Sequence, residues 1–241
     1  MQNKNWKNLI KRINKLLIDH FGIPRRQNPL PNPLDTLIAT ILSQNTNDNN
    51  SYKAFNNLKR RFKTWDEATK ASRKEIGSLI KVAGLAPAKS LAIKNLLNEI
   101  KVKNDYNLDF LLHPENEVAI NQLTKLKGIG VKTASCVLLF SLDRNICPVD
   151  THVHRTLNRI GVVKTKSPEK TFWEINNNFP DGIAHSFHTN LILLGREICT
   201  PSNPKCGECP LNKICKYENK TDKLKSKQTK KRILLLDNIG I

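Results

Sequence analysis

No apolar run in the 241-residue chain approaches the roughly 20 residues that a membrane-spanning helix needs, so no membrane partner is expected. The polar start MQNKNWKNLI shows no targeting segment. Strand patterning is missing too: before residue 216 no period-2 alternation of useful length occurs, which argues against a sheet and for an all-α fold. The six cysteines are not spread as a disulfide framework would be, since four of them fall between Cys199 and Cys215. Acidic residues are scarce as well, with 21 Asp and Glu against 40 Lys and Arg, a net charge of +19. A chain that basic rewards a polyanionic partner, because phosphate contacts release bound counterions. Nucleic acid is the expected partner.

What the chain does contain is helical periodicity. Trp6, Ile10, Ile13 and Leu17 recur at helical spacing over 5–20, and Gly22 and Pro24 end that helix. The proline-punctuated QNPLPNP at 27–33 marks a boundary. Leu34, Leu37, Ile38, Ile41 and Leu42 form the next apolar stripe, which runs into the polar patch SQNTNDNN. That patch has the form of an interhelical turn, with Asp48 or Asn49 expected to cap a helix carrying Tyr52, Phe55, Leu58 and Phe62. Ser72 and Glu75 have the spacing of a capping box, and Gly84 closes the helix they open. Leu85, in the loop GLAP, has few helical neighbours to bury it, and stands as either a core residue or a wedge. Further helices are expected around Leu96, over 114–123, and around Leu157, Phe172 and Leu191. From Lys216 to Arg232 the chain is strongly basic and reads as a solvated arm, followed by the apolar ILLLDNIGI.

Three constellations carry chemistry. Gly128, Ile129 and Gly130 lie between two apolar helices, where glycine geometry and free N–H groups at a helix start can cradle a phosphate. Such a helix-hairpin-helix holds DNA without reading its sequence. Lys132 falls in the first turn after the hairpin, where the helix dipole and partial burial both oppose a positive charge and favour a nucleophilic amine. The plainer role for Lys132 is one more phosphate contact. Asp150, eighteen residues on, is placed to cap the helix that begins THVHRTL, and a carboxylate there can also stabilise charge on a sugar carbon. The third constellation is Cys199, Cys206, Cys209 and Cys215, separated by six, two and five residues, which suits either an iron-sulfur cluster or a four-cysteine zinc site.

Taken together, LKGIGVKTA, PVDTHVHR and LGREICTPSNPKCGECPLNKIC resemble the endonuclease III branch of the helix-hairpin-helix DNA glycosylases over about 30–216. The resemblance implies two helical domains flanking a DNA-binding cleft: a six-helix barrel over 31–146, and a cluster domain made of 1–30 with 147–216, leaving 217–241 as a basic tail. It implies that the four cysteines hold a [4Fe-4S] cluster. It also implies a bifunctional glycosylase and abasic-site lyase of base excision repair, acting on double-stranded DNA with oxidised pyrimidines such as thymine glycol or with abasic sites. In that scheme Lys132 attacks the sugar and Asp150 assists. Gln44 or Asn45 and Leu85 fill the emptied base stack, and Gly128, Ile129, Gly130 and His152 complete the DNA-binding set. A monomer is expected, at the nucleoid of a prokaryote or in the nucleus or mitochondrion of a eukaryote.

The chain departs from the family pattern in three places. Asn45 occupies the usual glutamine position with Gln44 one residue earlier, Ala86 and Pro87 follow Leu85 where an aromatic is common, and Lys127 replaces the proline before the hairpin. These departures fall mainly on the residues that would choose the base. Two alternatives stand beside the leading reading. One is a relative with another base preference, such as mismatched thymine or a modified cytosine. The other is a non-catalytic DNA-binding module stabilised by its metal.

Overall fold

A computed structural model describes residues 2–113, 115–221 and 235–239. Among them no strand occurs, and the helices are α1 (Gln2–Phe21), α2 (Pro33–Ser43), α3 (Asp48–Arg61), α4 (Trp65–Lys70), α5 (Arg73–Leu79), α6 (Ala86–Asn104), α7 (Asn116–Thr124), α8 (Val131–Leu142), α9 (Thr151–Ile160), α10 (Pro168–Asn176) and α11 (Ala184–Glu197). The chain forms two compact units. One joins the residues up to Arg25 to 144–221, and the other holds Arg26–Asp143 together with 235–239.

In the second of these units α2 and α8 form the centre, each buried along nearly its whole length and packed on the other. A helix apolar on all sides belongs in a core. Its few hydroxyls are satisfied internally: Ser141 Oγ donates to Thr36 Oγ1 at 2.8 Å, and Thr40 Oγ1 to the Thr36 carbonyl at 2.7 Å. Asn32 accepts from the Leu34 N–H at 2.8 Å, with Pro33 at the first helical position, so α2 starts where the boundary motif ends.

Local chemistry differs from the sequence expectation in detail. The cap of α3 is Asn47, whose Oδ1 accepts from the Asn50 N–H at 2.9 Å, rather than Asp48 or Asn49, which already lie inside the helix. Ser72 does cap α5, accepting from the Glu75 N–H at 3.1 Å. The Glu75 carboxylate pairs instead with Arg61 at 2.7 Å, so half of the expected capping box forms. Helix α4 is too short to display a period. It is held by Thr64, which caps it, and by Trp65, whose Nε1 donates to Asp35 Oδ1 at 2.6 Å.

The end of the chain also belongs to this unit. Leu235 and Ile239 are buried, the turn Leu235–Asp237 packs on α2 and α3, and Gln27 Nε2 donates to the Ile239 carbonyl. The apolar ILLLDNIGI thus docks on the barrel helices through its described residues. Residues 222–234, with most of the expected basic arm, and Pro114, the expected start of α7, lie outside the described residues.

In the other unit α11 packs on both α1 and α9. Helix α9 is strongly amphipathic and buries Val153, Thr156, Leu157 and Ile160. Its approach to α11 depends on Gly195, where an added Cβ would meet the His152 Cβ at 2.8 Å, a carbon too near the backbone to swing aside. Gly195→Ala should therefore destabilise the protein. Overpacking costs about 1–3 kcal/mol, and the better helix propensity of alanine returns only about 1 kcal/mol. The check is a denaturation midpoint below that of the wild type.

Candidate functional site

The barrel unit carries the hairpin. Leu126 closes α7 through its N–H to the Leu123 carbonyl at 3.0 Å, and the Ile129 N–H donates to the Leu126 carbonyl at 3.1 Å. Gly128 adopts φ of 87°, a left-handed conformation that favours glycine. The Ile129 side chain is buried, whereas Gly128 and Gly130 are exposed, so the side chain anchors the turn and the flanking backbone faces outward. Gly130 then caps α8 with no side-chain bond to the first N–H groups of the helix. Uncapped N–H groups at a helix start are suited to an anion. Lys132 is the second residue of α8, half-buried, and makes no ion pair among the described residues.

Two further loops of the same unit carry the residues expected to enter the base stack. Gln44 and Asn45 follow the end of α2, both exposed, with Asn45 at φ of 52°. Leu85 caps α6 at φ of 49° and is 56% exposed, which excludes the core reading of that residue. Leucine rarely occupies the left-handed region. Its exposed apolar side chain stands beside a surface hollow lined by Arg73, Lys74 and Lys81, a cationic setting for a polyanion.

The other unit carries Asp150, His152 and the cysteines. Asp150 is half-buried and caps α9, its Oδ1 accepting from the Val153 N–H at 2.9 Å. The cap holds the carboxylate in one orientation. Burial pulls the His152 imidazole below its usual pKa; the Asp150 carboxylate opposes that shift and Arg155 and Arg196 reinforce it, so the ring is neutral at pH 7. Its Nδ1 lies 3.2 Å from Arg155 Nη2.

The four cysteines line one pocket together with Arg159, Ile198, Tyr217 and Lys220. Burial pushes the Cys209 thiol up to about 11, and its three cysteine neighbours add to the rise. A metal centre reverses that balance, since coordination deprotonates a thiol outright. Four thiols lining one pocket supply the ligand set of a four-cysteine iron-sulfur cluster. Arg159 closes the cavity: it donates to Cys199 Sγ at 3.5 Å and to the Thr200 carbonyl at 2.7 Å, and stacks 4.4 Å from the Tyr217 ring. Arg155 bonds the Cys199 and Gly195 carbonyls at 3.0 and 2.8 Å.

Sequence reasoning misses these two arginines, whose signal is the four-residue spacing that puts both on one face of α9. The purified protein is expected to be brown, with visible absorption that Cys209→Ser removes; colourless protein containing zinc would exclude the cluster.

Comparisons with known proteins agree with these features. Residues 38–181, more than half of the chain, match the HhH-GPD superfamily of base excision DNA repair proteins, and 199–215 match the iron-sulfur binding domain of endonuclease III. The chain is 32% identical to endonuclease III of Thermotoga maritima, with 89% of this chain and 96% of that protein covered. It is 39% identical to a putative DNA glycosylase of Arabidopsis thaliana over 69% of this chain, which spans only 57% of the plant protein. In structure it resembles endonuclease III from a non-covalent complex with DNA, with a TM-score of 0.74, 25% identity, and coverage of 87% of this chain and 94% of that one.

Proposed function

The chain belongs to the HhH-GPD superfamily of base excision DNA repair proteins, and on that premise we propose that it is a bifunctional DNA glycosylase and abasic-site lyase acting on oxidised pyrimidines of the thymine glycol type. Membership carries the broader activity: an endonuclease III-like DNA glycosylase of base excision repair that binds DNA and carries a [4Fe-4S] cluster. The lyase chemistry is supported by a single observation, a half-buried lysine without an ion pair among the described residues, in the first turn after a phosphate-binding hairpin.

The reaction requires the damaged nucleotide to leave the stack, because its sugar carbon is inaccessible within the duplex. Lys132 Nζ then forms a bond to C1′ as the glycosidic C–N bond breaks, and the base departs with a proton from the attacking amine. The C1′–O4′ bond of the resulting aminal opens, O4′ taking up a proton, to leave an iminium between Nζ and C1′. The iminium acidifies the C2′ proton, and its loss breaks the C3′–O3′ bond and expels the 3′ phosphate, cleaving the strand. The Asp150 carboxylate stabilises positive charge at the sugar. Gln44 or Asn45 and Leu85 occupy the space the base vacates, and the backbone of Gly128 to Gly130 holds phosphate. His152 contributes hydrogen bonds to DNA. The cluster, when bound, supplies four metal–thiolate bonds that pin the 199–215 loop, with its lysines Lys205 and Lys213, for DNA. The protein acts as a monomer, at the nucleoid of a prokaryote or in the nucleus or mitochondrion of a eukaryote.

Incubation with thymine-glycol duplex and borohydride should trap a covalent protein–DNA adduct. A panel that adds mismatched thymine and modified cytosine reads out the base preference. No adduct with any lesion or abasic site would sink the lyase assignment.

A further inference from the structure

Lys89 is one of the few buried charges of the barrel unit, 3% exposed on the first turn of α6. Its Nζ donates to the Leu42 carbonyl at 2.8 Å and to the Ala83 carbonyl, also at 2.8 Å. Neither acceptor is an anion, and no described carboxylate pairs with it. Burying an ammonium without a counter-ion is costly, and an apolar side chain of similar volume would serve packing better. The charge therefore has another use than stability.

Its two acceptors identify that use. Leu42 lies in the last turn of α2, two residues before Gln44 and three before Asn45; Ala83 ends the turn Lys81–Ala83, two residues before Leu85. Their carbonyls are the roots of two separate loops, brought onto one ammonium group from positions 47 residues apart and 6 residues apart from Lys89. Both loops then turn through the left-handed region, at φ of 52° for Asn45 and 49° for Leu85. Non-glycine residues held there cost roughly 1–2 kcal/mol and persist only where the surroundings over-determine them. We infer that Lys89 is a positioning residue that sets the Gln44–Asn45 loop and the Leu85 loop in mutual register, so that both enter the base stack as one unit.

The inference rests on the stack-filling role proposed for those loops. It accounts for a lysine where packing favours an apolar residue: an ammonium has three donors and can hold both carbonyls at once, whereas Ser51 Oγ, which also donates to the Leu42 carbonyl at 3.3 Å, touches only one of the two loops. Burial lowers the Lys89 pKa, as expected of an ammonium held by neutral dipoles alone.

The test compares two substrates under single-turnover conditions. Thymine-glycol duplex requires a filled stack, whereas an abasic site in single-stranded DNA has no opposing base to hold apart. Lys89→Met is expected to lose about tenfold or more on the duplex relative to its loss on the single strand, the scale on which misplaced groups act. Lys89→Gln, which can still donate to one carbonyl, should fall between. In a protein already carrying Asn45→Ala and Leu85→Ala, Lys89→Met should cost nothing further, because contacts acting through one another are not additive. Equal losses on both substrates, or losses that multiply in the combined variant, would overturn the inference. Should Lys89→Met fail to fold, the same ratio measured on Lys89→Gln decides the matter. A wild type inert on both substrates removes the proposed reading of the site and the inference with it. A wild type that cleaves both and is impaired on duplex by Leu85→Ala, while Lys89→Met behaves as wild type, removes the inference alone.

Discussion

Lys132→Gln is expected to abolish the borohydride-trapped adduct and to lower strand cleavage by about a hundredfold or more, on the scale of losing a nucleophile. Glutamine is one atom shorter than lysine and keeps hydrogen-bond donors but not the charge, so the exchange is sterically mild. What it cannot do is form an iminium with C1′. The substitution therefore separates the two roles open to this residue. If Lys132 served only to hold phosphate, its replacement would weaken binding modestly and reduce the salt dependence, with cleavage restored at saturating protein. If it is the nucleophile, binding stays nearly intact and cleavage is absent at any protein concentration. The side chain is half-buried at the second position of α8, so the exchange removes no core packing. An adduct that survives in Lys132→Gln would place the reactive amine elsewhere.

Asp150 needs two substitutions, because it holds two roles at once. Its Oδ1 caps α9 through the Val153 N–H, and its charge is proposed to stabilise the reacting sugar. Asparagine caps a helix about as well as aspartate, so Asp150→Asn should leave stability nearly unchanged while base release falls by about a hundredfold or more. Asp150→Ala should show the same catalytic loss and, in addition, a destabilisation of about 1 kcal/mol from the missing cap. Denaturation midpoints and single-turnover rates on the two variants separate the roles. Full activity in Asp150→Asn would reduce the residue to a cap.

The features legible in the sequence are those written in short-range patterns. Apolar residues at helical spacing yield helices, Ser72 caps α5 where its spacing from Glu75 puts it, and GIG between two apolar helices marks a tight turn. The cysteine intervals are likewise local, since four thiols within one loop can meet only around a shared centre. Details that depend on competing neighbours are less legible. The polar run SQNTNDNN offers several capping side chains, and only the geometry of the turn selects Asn47. Helix α4 has six residues, fewer than two turns, and owes its place to Trp65 reaching Asp35 thirty residues away.

By itself, then, the sequence determined the helical class, the hairpin, the lysine after it and the cysteine loop, because each is a pattern within a few turns of chain. Tertiary structure alone decided which of forty basic residues is buried, since Lys89 looks in sequence like any other lysine until α6 packs against α2. It also decided that Leu85 is exposed rather than core, that Ile129 anchors the hairpin from within, and that Leu235 and Ile239 dock on the barrel helices. Such outcomes depend on contacts between residues far apart in the chain, and no local period encodes them.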